Sequence, residues 1–424
     1  MSLRVVVGAI AVAIAAVNSS GATAQTKSQQ VVKPPVAQLW MDVATMTMPG
    51  MPDMASIPGA GALGGLFGAG GGGGNNAFGN TRGMMPGRYV DIALFTQRKP
   101  AGTEGLQSVP QVTGLAPTLP LVPPPARSGP TPTDSSRPDP TEIERPKGRI
   151  LFYWGCSETV RPGQPRVLDF ARAAPQEWAG FMQGRVTSDR GALSRPGHAL
   201  WPNEKDRRSF SRDASLVGDH SVSGEGVPAG LKFALSEAND FMPAIALTQS
   251  GTPADTLQLS WQAVGPARAY FINAMGGGDG ETVFWSSAEV PEVGMGLMDF
   301  ASPANVEQWL KEKVLLAPTV TQCAVPKGIF AKASGAMLRM IAYGPELNIA
   351  HPPRPADVKQ PWEPEWAVRV RTKSTAMAQL GMEARGAAPE RMGSEQAPPP
   401  SVEAKKDEPK VPGAVDLLRG ILGR

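Results

Sequence analysis

Gly148-Arg-Ile-Leu-Phe-Tyr-Trp154-Gly-Cys-Ser-Glu158 and Gly280-Glu-Thr-Val-Phe-Trp285-Ser-Ser-Ala-Glu289 are two strand-like stretches, each opening on a glycine and carrying a tryptophan. Aromatic and β-branched residues at a period of two mark a half-buried strand. Each stretch is followed by Asp-Phe-Ala, at Asp169-Phe170-Ala171 and Asp299-Phe300-Ala301. Trp178 and Trp309 then follow in helix-like sequence. Trp, Glu, Asp-Phe-Ala and Trp recur in one order with spacings that agree to within one residue. Such self-similarity marks an internal duplication, or else chance likeness between two short strand–helix segments.

The comparison extends upstream. Leu257–Val264 and Ala267–Ala274 precede the second stretch; Gln38–Val43 and Gly87–Phe95 precede the first. All four read as strands, so each unit becomes strand, strand, strand, short helix. Further strands are expected at 230–235, 242–247, 335–343, 347–350 and 366–371. The last of these alternates cleanly, which implies one solvated face. Ile150, Phe152, Trp154 and Cys156 share one face of their strand; Val283, Trp285 and Ser287 are the counterparts. Both tryptophans are read as core anchors, with an exposed sugar-binding platform as the alternative. Ser302-Pro303 forms an N-cap and first-turn pair, followed by the apolar stripe Val306, Trp309, Leu310 and Val314.

Two segments are too poor in apolar side chains to pack a core. Residues 49–86 include five consecutive glycines, Gly70 to Gly74, and residues 109–147 carry eleven prolines. Both are read as long insertions between strands. The expected fold is therefore mainly β with short helices: two related β-rich sandwich-like domains, long disordered loops and a disordered C-terminal tail. The boundaries are 1–24 for a signal peptide, 25–220 for the first unit, 221–375 for the second and 376–424 for the tail. The tail closes on Val415 to Arg424, whose Val415, Leu418 and Leu422 share a helical face. This is either a docking helix, with peripheral membrane contact possible, or a frayed end.

The N-terminus sets the address. Arg4, the uncharged run Val5 to Val17 and the small-x-small pattern Ala22-Thr23-Ala24 form a secretory signal, with Gln25 as first mature residue. No later stretch is long and apolar enough to span a bilayer. A periplasmic or secreted protein follows. In an oxidising compartment Cys156 and Cys323 either pair or remain two buried thiols. Closing so long a loop would contribute roughly 5 kcal/mol in the chain-entropy picture.

The chain of 424 residues has 41 basic against 38 acidic side chains, which excludes a strongly basic nucleic-acid binder. Three histidines and two cysteines leave little material for a zinc site. Asp219-His220-Ser221 invites a hydrolase reading, but the Gly-x-Ser-x-Gly elbow is absent. Gly276–Gly280 lacks the Lys-Ser/Thr of a phosphate loop and reads as a hairpin turn. The motif with site-like spacing is Met46, Met48, Met51 and Met54, flanked by Met41, Met84 and Met85. Thioether sulfur selects Cu(I) or Ag(I). The segment resembles the Met-rich motifs of periplasmic copper-handling proteins, but no histidine joins it and Pro and Gly interrupt it. An adhesive low-complexity loop is the other reading.

The signal peptide and the Trp154 and Trp285 segments together resemble exported envelope proteins of Gram-negative bacteria, a class that implies a location and no mechanism. The runs 261–271 and 284–290 are similar to fibronectin-type strands, a likeness of pattern that carries no function. The expectation is a non-enzymatic envelope scaffold or binding protein with an envelope or cell-wall partner and no cofactor. A Cu(I)-binding protein and a hydrolase using His220 are the alternatives.

Overall fold

The computed structural model describes residues 30–49, 76–125, 147–187, 190–333 and 335–381. Its first eight strands are β1 (Ala37–Thr47), β2 (Gly87–Thr96), β3 (Gly105–Ser108), β4 (Thr118–Leu121), β5 (Arg149–Trp154), β6 (Arg166–Asp169), β7 (Ala199–Trp201) and β8 (Gly218–Gly224). The next are β9 (Lys232–Leu235), β10 (Leu247–Ser250), β11 (Leu257–Trp261), β12 (Ala269–Gly278), β13 (Glu281–Ser286), β14 (Gln322–Val325), β15 (Ala336–His351) and β16 (Trp366–Gln379). Two short helices, α1 (Pro175–Met182) and α2 (Pro303–Lys311), complete the described regular structure with a few 3-10 turns. The protein is mainly β, as the alternating runs require.

The strands form one nine-stranded sheet, ordered β6-β5-β13-β12-β15-β16-β1-β2-β7, and two smaller sheets, β4-β3-β8-β9 and β10-β11-β14. Leu39, Met41 and Val43 of β1, with Val368 and Val370 of β16, pack on Leu119, Leu121, Val222 and Phe233 of the four-stranded sheet. Farther along the large sheet, Ile272, Trp285, Leu338 and Met340 pack on Leu257, Leu259, Trp261 and Val325 of the three-stranded sheet. Two sandwich cores therefore share one continuous sheet. The division at 220/221 falls inside β8, and strands from both halves interleave in the large sheet.

The two strand triplets pair differently. β1 and β2 pair with each other and β5 lies elsewhere, whereas β12 and β13 form a hairpin and β11 belongs to a small sheet. β5 and β13 are parallel neighbours, but Trp285 stands beside Tyr153, not Trp154. Trp285 is fully buried in the core under the three-stranded sheet; Trp154 packs on the opposite side with Phe152 and Phe181. The interval from glycine to tryptophan is six residues in one stretch and five in the other. At a period of two, that single residue reverses the face.

Element boundaries also move. Residues 76–86, read as the end of an insertion, carry a 3-10 turn (Asn80–Arg82) with Thr81 buried. Residues 109–125 carry buried Val109 and the paired strand β4. β16 runs four residues into the expected tail, because Ala376, Ala378 and Leu380 still pack on the second core. The strands expected at 335–343 and 347–350 are one strand, β15, with an irregularity between Tyr343 and Glu346, where Pro345 cannot donate to the ladder. The Asp279-Gly280 turn of the β12–β13 hairpin has positive φ at both positions, 53° and 73°, as a two-residue hairpin loop of this type demands. Ser302 caps α2, its hydroxyl accepting from Asn305 N at 3.2 Å. Cys156 and Cys323 form a disulfide across 167 residues, tying the end of β5 to β14 and so the large sheet to the small one.

Candidate functional site

Strand β16 presents Val368 and Val370 to the first core and turns Arg369, Arg371 and Lys373 to the opposite face. Clean alternation forecast a solvated face, but Arg371 is 3% and Lys373 1% exposed. The cause is β1, which lies parallel to β16 in a register that sets Asp42 beside Arg371, while β2 sets Asp91 opposite Asp42. Asp42 receives Arg371 bidentately, Nε at 2.8 Å and Nη2 at 2.7 Å, and the Ala192 amide at 3.1 Å. The backbone at Gly191 runs so close that a Cβ there would strike the Arg371 guanidinium and the Asp42 carboxylate.

A second acidic residue joins from the Asp-Phe-Ala motif. Asp299 accepts from Lys373 Nζ at 3.0 Å and Arg82 Nε at 2.7 Å, and Arg82 also reaches Asp42 at 3.1 Å. Phe300 lies beneath both cations, 4.6 Å from the Arg371 guanidinium carbon and 4.4 Å from Lys373 Nζ. Burial acts to raise the Asp299 pKa, but the charges of Lys373 and Arg82 outweigh it and hold it at about 2. Burial lowers Lys373, with Asp299 opposing. Asp91 has no cation at hydrogen-bond distance: it accepts from Gly79 N at 2.8 Å and from the Thr81 hydroxyl. Burial pushes it up to about 6, with those hydrogen bonds pulling the other way. Asp91 and Arg82 thus hold the 79–83 turn against the sheet.

Beside this cluster lies a cavity lined by Met46, Met84, Met298, Met377, Arg339 and Lys373. Of the methionines singled out from spacing, Met46 is buried with Ala44 and Phe300, Met48 is half-buried, and Met51 and Met54 lie outside the described residues. Thioethers from four separated segments thus line this cavity. Two cationic side chains in the same wall oppose a bound metal cation. Among the described residues no group of three or more His, Cys, Asp or Glu could hold a metal ion.

His220 is 2% exposed; its Nε2 lies 2.8 Å from Leu216 O and its Nδ1 3.2 Å from Gln107 Nε2. Phe233 stacks on the ring. Both nitrogens are engaged within the first core and none faces a serine hydroxyl. Arg208 pairs with Asp206, whose buried carboxylate also accepts from Trp201 Nε1 at 2.9 Å.

A wide groove of about 630 Å³ opens at the far side of β7. Phe78, Leu200, Pro202 and Pro123 to Pro125 give it an apolar wall; Asn76, Asn203, Lys205 and Arg207 add polar edges. Asn76 Oδ1 is buried without a hydrogen-bond partner among the described residues. Asn76 and Pro125, which line the groove, each adjoin one end of a segment outside the described residues, 50–75 and 126–146.

Fold and site together define a mainly β protein with a shared sheet, a buried charge cluster and an open groove. No protein-family model matches the chain, and no curated protein or solved structure matches it. Among the described residues no helix is long and apolar enough to cross a membrane.

Proposed function

We propose that this chain is an exported cell-envelope protein that works by binding, offering an extended segment of an envelope partner protein the groove between β7 and Pro123–Pro125. The observation that carries the reading is the groove itself: wide, open and apolar on one wall, with amide and cationic edges suited to a peptide main chain. Asn76 and Pro125 on its wall each adjoin one end of a loop segment outside the described residues, and loops on a rigid frame commonly make contacts. The signal-like N-terminus and the Cys156–Cys323 disulfide support export, since such bonds persist in oxidising compartments. The terminal segment 415–424 is a second contact element in this reading and lies outside the described residues.

The test places a photo-crosslinking residue at position 124 or 205 of the full-length chain in cells. A discrete adduct that Phe78→Asp removes is the expected result; no adduct, or one indifferent to Phe78→Asp, overturns the groove. Intact mass of the exported chain is expected to begin at Gln25 and to lack two thiol hydrogens. A chain retaining residues 1–24 with free thiols would overturn export. Deleting residues 413–424 is expected to weaken the adduct without removing it.

A further inference from the structure

The charged face of the large sheet is unbalanced. Arg82, Arg339, Arg369, Arg371 and Lys373 bring five cations to it, against the carboxylates Asp42, Asp91, Asp299 and Glu346. Four cations have carboxylate partners. Arg339, on β15 between Asn273 of β12 and Met377 of β16, makes no ion pair or side-chain hydrogen bond with the described residues. It is half-buried, and burial alone acts on its guanidinium, downward. A partly desolvated cation without a partner is costly, and its cost is relieved by an anion.

The cavity that Arg339 faces says which anion. The cavity is small, about 20 Å³, and partly open to solvent. A phosphate dianion is disfavoured, because Asp299, already paired with Lys373, would repel its second negative charge. A planar monoanionic head that takes two parallel guanidinium hydrogen bonds suits the charge. The remaining wall is thioether: Met46 and Met298 are buried, and Met84 is 58% exposed at the mouth. Methionine is unbranched and adapts to an apolar chain. We propose that this cavity binds the carboxylate head of a short aliphatic acid at Arg339, with the chain lying across Met84 and Met377.

The site does not depend on the partner groove, which lies beyond β7, so either proposal can fail alone. The test titrates octanoate into the full-length, disulfide-bonded protein with methyl-labelled methionine, by calorimetry and NMR. Saturable binding that shifts the Met46, Met84, Met298 and Met377 methyls is expected. Arg339→Gln should weaken it about tenfold or more, and Arg339→Lys by less. Should Arg339→Gln not fold, Met84→Glu at the exposed mouth sets a carboxylate beside the guanidinium and is expected to abolish octanoate binding. Octanol binding as tightly as octanoate, phosphate displacing octanoate at equal concentration, binding unchanged in Met84→Glu, or no saturable binding would each overturn the proposal.

Discussion

The two faces of β1 and β16 are buried at their centre by opposite means. One carries Leu39, Met41, Val43, Val368 and Val370 beneath the four-stranded sheet. The other carries Asp42, Arg371 and Lys373, none more than 3% exposed. Apolar burial is non-directional and graded with area, so a truncation loses transfer energy and leaves a cavity. Ion-pair burial is conditional. Each charge is tolerated only while its partner stands at hydrogen-bond distance, and loss of one partner leaves another charge desolvated and alone.

The largest expected effect breaks that condition. Asp42→Ala strands Arg371 and part of Arg82, and should destabilise the protein by about 3–5 kcal/mol in denaturant unfolding. Val43→Ala, one position along on the apolar face, should cost about 2 kcal/mol. If the valine variant proves the weaker of the two, the contrast between the faces fails.

A pH profile sharpens it. Asp91 binds its proton more tightly folded, at about 6, than at its ordinary 3.8, so its contribution is full below about 4 and is lost as pH rises through 6. Asp299, held at about 2, contributes above about 4 and loses that contribution as pH falls toward 2. These two groups together place a stability maximum near pH 4. Asp91→Asn should flatten the slope between pH 4 and 6 and leave the acid limb unchanged; an unaltered slope would refute the assignment. The smallest effect lies outside both faces: Ser302→Ala removes the α2 cap and should cost about 1 kcal/mol, read as a small drop in melting temperature.

Much of the strand content was legible because alternation reports a period of two directly. The α2 start was legible because Ser302 and Pro303 carry their own local chemistry. The charge cluster was not. Arg369 and Arg371 belong to the strand whose alternation implied a solvated face, and no local pattern marks Asp42, Asp91 or Lys373. Their meeting depends on a parallel pairing between strands 329 residues apart. The likeness of the Trp154 and Trp285 stretches does not extend to the face each tryptophan occupies, for a related reason. A one-residue difference in spacing is nearly invisible in an alignment and decisive in a sheet. The methionine spacing at 46–54 pointed to one loop, whereas the thioethers that share a cavity come from positions 46, 84, 298 and 377.

Local sequence thus determined which residues extend, where α2 begins and that two cysteines were available to pair, since each rests on backbone preferences and side-chain chemistry of near neighbours. Tertiary structure decided that both halves share one sheet, that Arg371 and Lys373 on the polar face of β16 are buried, and that Arg339 has no carboxylate partner among the described residues. Those outcomes depend on which strand lies beside which. Strand pairing is a long-range choice that no local pattern encodes.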